Sequence, residues 1–295
     1  MLLSLQIEAD AQDLPAPFLN YANCEEEDCE PLFREALTYA EGIDSDTLKA
    51  RLFIELTDVR KNRGIWDDEV KELYERAVAI YHEAGLICFE ANAVRFQSQF
   101  HNYREEGSLA LDVARKALKL AEECGRESTI ARANGIMGLA LQHKGEYSEA
   151  LKYHGKSARM FRELGDLFGQ AVSTQELSYV YGSMGDIERA NEMMLESAKI
   201  YLEAGDTISY AICITDLCAN YLTEEKPDSV LKYQPKAGEM MKGKHRMGEA
   251  VAIYNIGEAY KQKGDYHRAL SLYDESAELS ADLQFSRFFM EIEIS

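Results

Sequence analysis

Imidazole can donate or accept a proton, or bind a metal, near neutral pH, so the histidines are the first candidates for chemistry. His82, His101, His143, His154, His245 and His267 are scattered singly. None has a second His or Cys at a ligand spacing on the same helical face, so no metal site is expected. The six cysteines (Cys24, Cys29, Cys88, Cys124, Cys213, Cys218) form no C-x-x-C pair. In a chain too large to need disulfide staples, most are expected to be reduced, small core residues. Cys24 and Cys29 stand apart, because their acidic, loop-like stretch leaves open either a disulfide in an oxidising compartment or two free thiols. There is no Gly-x-Ser-x-Gly nucleophile elbow, no phosphate loop ending in Gly-Lys-Ser/Thr and no His-Glu-x-x-His pattern. Catalytic residues and cofactors are therefore not expected, and the chain is not expected to be an enzyme. Gly182-Ser183-Met184-Gly185 has the glycine content of a phosphate loop but falls at a helix C-terminus, where the dipole disfavours anions. Lys242-Gly243-Lys244-His245-Arg246 is the sharpest basic cluster; it reads as a solvated turn, with a local anionic contact as the alternative.

The elements that would position these residues are constrained by composition. The chain has 295 residues, 46% of them hydrophobic, enough for a substantial buried interior. With 32 Lys+Arg against 52 Asp+Glu, its formal charge of −20 repels phosphate backbones and anionic lipid. Direct nucleic-acid binding and membrane insertion by this region are not expected, and no run approaches the roughly 18 apolar residues of a membrane span. The start, Met1-Leu2-Leu3-Ser4-Leu5, lacks the basic and apolar regions of a secretory signal. A cytoplasmic location follows, or a periplasmic one if Ala9-Asp10-Ala11 marks a trimmed signal. Of five prolines, Pro15, Pro17 and Pro31 fall in the first 31 residues, leaving the remainder almost free of helix breakers.

Self-similarity organises that remainder. Gly85, Gly125, Gly165 and Gly205 recur at intervals of 40 residues, as do Val70, Ala110, Ala150, Ala190 and Val230, with Ala269 at 39. Small residues form another comb, Ser98, Gly138, Ser178, Cys218 and Gly257, each followed three residues later by His101, Leu141, Tyr181, Tyr221 or Tyr260. Each period holds two apolar patterns of helical spacing separated by punctuation such as Gly185-Asp186. Glycine suits the left-handed end of one helix and the acid suits the positive start of the next. The small comb would let paired helices approach closely, with the aromatic comb filling the core beside it. Helix pairs are predicted at 46–62/67–84, 87–102/107–124, 127–144/147–164, 167–184/187–204, 207–222/227–242 and 247–263/267–282. A lone helix is predicted at 30–41.

Ile256-Gly257-Glu258-Ala259-Tyr260 followed by Gly264-Asp265-Tyr266-His267-Arg268-Ala269 resembles the tetratricopeptide repeat. The pattern recurs, degraded, as Met137-Gly138-Leu139-Ala140-Leu141 with Gly145-Glu146-Tyr147-Ser148-Glu149-Ala150. The resemblance covers roughly residues 46–283 and implies an all-α, right-handed solenoid of stacked antiparallel helix pairs. Two departures stand out: the usual repeat is about 34 residues rather than 40, and its early Trp and closing Pro are missing. The longer form is similar to repeats of bacterial ligand-sensing regulators, peptide-pheromone receptors and some animal scaffolds. The expected organisation is a lead-in segment at 1–29 and a solenoid at 30–295.

The resemblance also implies a concave groove lined by the first helix of each pair. Carried over by register, its lining is Asn92, Arg95, Gln99, Arg132, Gln142, Gln175, Tyr179, Thr215, Tyr254, Asn255 and Glu258, with Glu176 and Asp216 adjacent. Amides can pair with a peptide backbone, arginine can grip a carboxylate through two bonds, and tyrosine offers a flat face with a polar tip. The expected function is binding of a protein or peptide partner in that groove. The alternative is a ligand- or peptide-sensing region of a bacterial signal-transduction or transcription regulator whose effector domain lies outside this chain. Phe285, Phe288, Phe289 and Ile292 begin a further amphipathic helix with no polar cap, so the natural chain is expected to continue past Ser295, or this helix to mediate self-association.

Overall fold

The computed structural model describes residues 29–42, 45–62 and 65–280. Among the described residues every regular element is an α-helix. The order is α1 (Cys29–Gly42), α2 (Asp46–Asn62), α3 (Asp68–Glu83), α4 (Ile87–Tyr103), α5 (Gly107–Cys124), α6 (Glu127–His143), α7 (Tyr147–Leu164), α8 (Leu167–Ser183), α9 (Ile187–Glu203), α10 (Thr207–Thr223), α11 (Pro227–Met241), α12 (Arg246–Gln262) and α13 (Tyr266–Ser280). These bounds lie within two residues of the predicted helices. The expected features at Ala9–Ala11, Cys24 and Phe285–Ile292 lie outside the described residues.

The helices punctuate as their turn residues demand. At the end of α8, the Asp186 amide donates to the Tyr181 carbonyl at 2.9 Å and Gly185 to Gly182 at 2.9 Å, closing the last turn around Gly185 at φ +79°. Asp186 then caps α9 by accepting from the Arg189 amide. The same register holds Gly145 and Gly264 in the left-handed region, but also Glu105 (φ 58°) and Glu225 (φ 55°). The Gly243 turn inside the basic cluster is likewise local structure, since its His245 caps α12 by accepting from the Gly248 amide at 2.9 Å.

The chain divides into two compact units, one ending at Gly145 and the other beginning at Glu146. In the first unit, Leu52, Phe53 and Leu56 of α2 pack with Leu73, Ala77 and Tyr81 of α3. The small comb does its expected work between α4 and α5, where the buried Ser98 hydroxyl donates to the Ala110 carbonyl at 2.8 Å. In the second unit Ser178 repeats this contact with Ala190 at 2.7 Å, and a Cβ at Gly257 would meet the Tyr273 ring at 2.7 Å. The two helices of a pair are joined by another recurring bond, from Ser197 on α9 to the Ala171 carbonyl on α8 and from Ser276 on α13 to the Ala250 carbonyl on α12, both 2.8 Å.

Two expectations need correction. Cys88 and Cys124 are disulfide-bonded, with Cα atoms 5.1 Å apart, so they are not reduced core thiols. Antiparallel packing brings the start of α4 against the end of α5, a pairing that a separation of 36 residues does not reveal. Cys213 and Cys218 are free and buried, as expected of small core residues. The aromatic comb is only half-buried at Tyr181, Tyr221 and Tyr260. Arg189 and Arg268, one turn into the following helices, lie over the Tyr181 and Tyr260 rings at 5.5 and 5.2 Å and cover what the core does not.

Candidate functional site

The residues assigned by register all sit on the first helices of pairs: α4 and α6 in the first unit, α8, α10 and α12 in the second. Their surroundings differ sharply. In the first unit, Asn92 is spent on its own helix, donating to the Cys88 carbonyl at 3.0 Å. Gln99 is half-buried, and the buried Gln142 Oε1 has no hydrogen-bond partner.

Arg95 and Arg132 come together across α4 and α6. The Arg95 guanidinium lies 4.0 Å over the Phe96 ring, and its buried Nε has no hydrogen-bond partner. Burial lowers Arg95 to about 10, and the like charge of Arg132 pushes in the same direction, against Asp58 and Tyr74. Asp58 is itself bonded to Lys61 at 2.7 Å. Among the described residues, neither Arg95 nor Arg132 has a carboxylate at ion-pair distance. Two adjacent cations with no carboxylate at ion-pair distance, one with an unmade donor, form a site that an incoming carboxylate or phosphate would stabilise.

The second unit is acidic and aromatic on its first helices. Gln175 Nε2 donates to the Tyr179 hydroxyl at 2.7 Å, and that hydroxyl donates to Asp216 Oδ2 on α10 at 2.7 Å. Tyr201 from α9 donates to Gln175 Oε1 at 3.2 Å. Burial raises Asp216 above the ordinary carboxylate range, opposed by the hydrogen bonds from Tyr179 and Gln175. Tyr179 is raised by burial and by Asp216. Glu176, one turn before Tyr179 on the same face, is lifted by burial to about 7. Further along, Glu258 accepts from the Tyr273 hydroxyl and pairs with Lys261 at 3.3 Å, while the Tyr254 and Tyr273 ring centroids lie 5.4 Å apart. Burial raises Tyr254 to about 12, with Glu258 adding to the effect.

Thr215 and Asn255 are placed differently from the rest. They are 3% and 4% exposed, and a closed network uses them. Gln234 Nε2 donates to Thr215 Oγ1 at 2.9 Å, and Asn255 Nδ2 donates to the Thr215 carbonyl and to Gln234 Oε1 at 3.2 and 3.3 Å. These residues bind α10, α11 and α12 to one another. Their register positions are the same as those of the half-buried Arg95, Gln175, Glu176 and Tyr254, and the buried Gln234 on the neighbouring second helix is what their polar groups meet here. Glu176 and Asp216, assigned only as neighbours of the lining, are its most perturbed acids. Their register is filled by Phe96 and Ile136 in the first unit, and that change from apolar to acidic along one register is the signal that singles them out.

Stacked helix pairs with these turns define the tetratricopeptide class, and the chain carries tetratricopeptide repeats: the family matches residues 129–203 and 252–285. Among curated relatives, the 43 kDa receptor-associated protein of the synapse from Tetronarce californica is 24% identical over 177 residues, covering 58% of this chain and 42% of that protein. The match thus spans less than half of that relative's length. Among solved structures, aspartyl phosphate phosphatase F from Bacillus subtilis superposes with a TM-score of 0.65 at 14% identity, covering 89% of this chain and 68% of the other. A Rap protein complexed with competence and sporulation factor gives a TM-score of 0.64 at 17% identity, covering 95% and 80%. Among the described residues, no helix is long and apolar enough to cross a membrane, and no group of three or more His, Cys, Asp or Glu could hold a metal ion.

Proposed function

We propose that this chain is a protein-interaction module that binds a segment of a partner polypeptide along its first helices, rather than a catalyst. The observation that carries this is the Arg95–Arg132 pair, held with no carboxylate at ion-pair distance and with a buried, unpaired Arg95 Nε. An acidic side chain or a C-terminal carboxylate would supply bidentate bonds to these guanidiniums. Gln99 and Gln142 lie on the same two helices and offer amides to a backbone. A second version, in which the bound segment is a signal and the chain is a sensing region, is supported by the likeness to a Rap protein solved with competence and sporulation factor.

Selection from a random dodecamer display library tests the assignment. Acidic residues are expected to enrich on the parent protein, and the selected peptides are expected to lose about tenfold or more in affinity with Arg95→Gln/Arg132→Gln, roughly 1.4 kcal/mol. Selected peptides that bind this double variant as tightly as the parent would remove the arginines from the site.

A further inference from the structure

Two acids of the second unit, Glu176 and Asp216, have no cation at ion-pair distance among the described residues. Glu176 is enclosed by protein on nearly all sides yet still reached by solvent, and among the described residues no hydrogen bond or ion pair satisfies its carboxylate. Asp216 accepts from Tyr179 through Oδ2, and no Lys, Arg or His contributes to the electrostatics of either acid. Tyr179 and Tyr201 flank Glu176 closely enough to sense its charge. The Gln175 amide bridges these two phenols, donating to one and accepting from the other, which fixes their positions.

We propose that Glu176, Asp216 and Tyr179 form a receptor for a single organic cation, the ammonium or guanidinium of a lysine or arginine side chain in the bound segment. A cation there would meet the carboxylates of Asp216 and Glu176, both of which lie close enough to Tyr179 to act on its hydroxyl, with the Tyr179 ring as an aromatic wall. It would also supply the positive charge that a buried carboxylate lacks and so bring Glu176 back to its ionised form at neutral pH. The Tyr179–Asp216 bond keeps the second acid oriented before the ligand arrives, which lowers the ordering cost of binding. The proposal rests on the first helices being the elements that bind, and it names for those of the second unit a chemistry opposite in sign to that of Arg95 and Arg132 in the first.

The test is an NMR titration of tyrosine-labelled protein with capped Gly-Gly-Lys-Gly-Gly and Gly-Gly-Arg-Gly-Gly, with n-butylammonium and methylguanidinium, and with the neutral Gly-Gly-Gln-Gly-Gly. Saturable shifts of the Tyr179 resonance are expected with the cations and not with the neutral peptide. They should weaken about tenfold in Glu176→Gln or Asp216→Asn, both of which preserve side-chain shape. Tighter binding of the peptides than of the free amines assigns the site to a polypeptide side chain, whereas equal binding assigns it to a small amine. Shifts that fail to saturate, or that persist unchanged in both variants, overturn the cation receptor. The acidic-peptide selection reads Arg95 and Arg132 independently, so its success beside failure here would leave the binding face standing without this subsite.

Discussion

At the residue scale, the informative side chains are those whose partners are missing. Glu176 titrates near 7 because burial penalises its charge, and the groups facing it, Tyr179 and Tyr201, ionise at far higher pH. A carboxyl raised in the native state binds more protons folded than unfolded between its ordinary value and about 7, so its contribution to stability falls as pH rises through that window and is constant above it. Glu176→Gln should therefore melt higher than the parent at about pH 8 and at the same temperature near pH 3, below the ordinary carboxyl value, where the parent carboxyl is neutral in both states. An equal offset at both pH values would show that the carboxyl is not desolvated. Cys88–Cys124 acts through the unfolded chain instead. Closing a loop across a separation of 36 residues is worth about 3–4 kcal/mol in the chain-entropy account. Cys88→Ser should lower the midpoint of non-reduced protein accordingly and remove this bond's share of any fall that reductant causes. A parent whose two thiols both alkylate without prior reduction would count against the bond.

At the scale of the element, the turn between paired helices decides local stability. Gly145, Gly185 and Gly264 occupy its left-handed position without strain, while Glu105 and Glu225 hold the same position against a Cβ clash. Glu225→Gly should gain about 0.5–1 kcal/mol, the relief of strain less the entropy glycine adds to the unfolded chain. The check is an upward shift of the urea midpoint at unchanged slope, and a downward shift would mean that glutamate makes a compensating contact. The helices themselves were legible because their cause is local: apolar periodicity, aspartate caps and glycine punctuation all act within a turn or two of the chain. Pro235, inside α11, is the exception that the periodicity accommodates without revealing.

At the scale of the whole molecule, a formal charge of −20 makes self-repulsion a general cost of folding. Raising ionic strength from about 0.01 to 0.15 M shortens the screening length from about 30 to 8 Å and should raise the melting temperature. A fall would show that favourable ion pairs such as those of Arg60 with Asp67 and Glu69 outweigh the repulsion. The net charge conceals a segregation that sequence register only partly displays. Arg95 and Arg132 stand out as basic residues on a first-helix face, but so do Thr215 and Asn255 as polar ones, and only packing separates the first two, left without partners, from the second two, consumed by Gln234. The 40-residue spacing by itself determined the helices, their turns and the paired small-residue contacts, since each depends on neighbours along the chain or on one repeated interface. Tertiary structure alone decided the Cys88–Cys124 pairing, the inward turn of Thr215 and Asn255, and the burial of Glu176, because each of these depends on which side chains a neighbouring helix brings close in space.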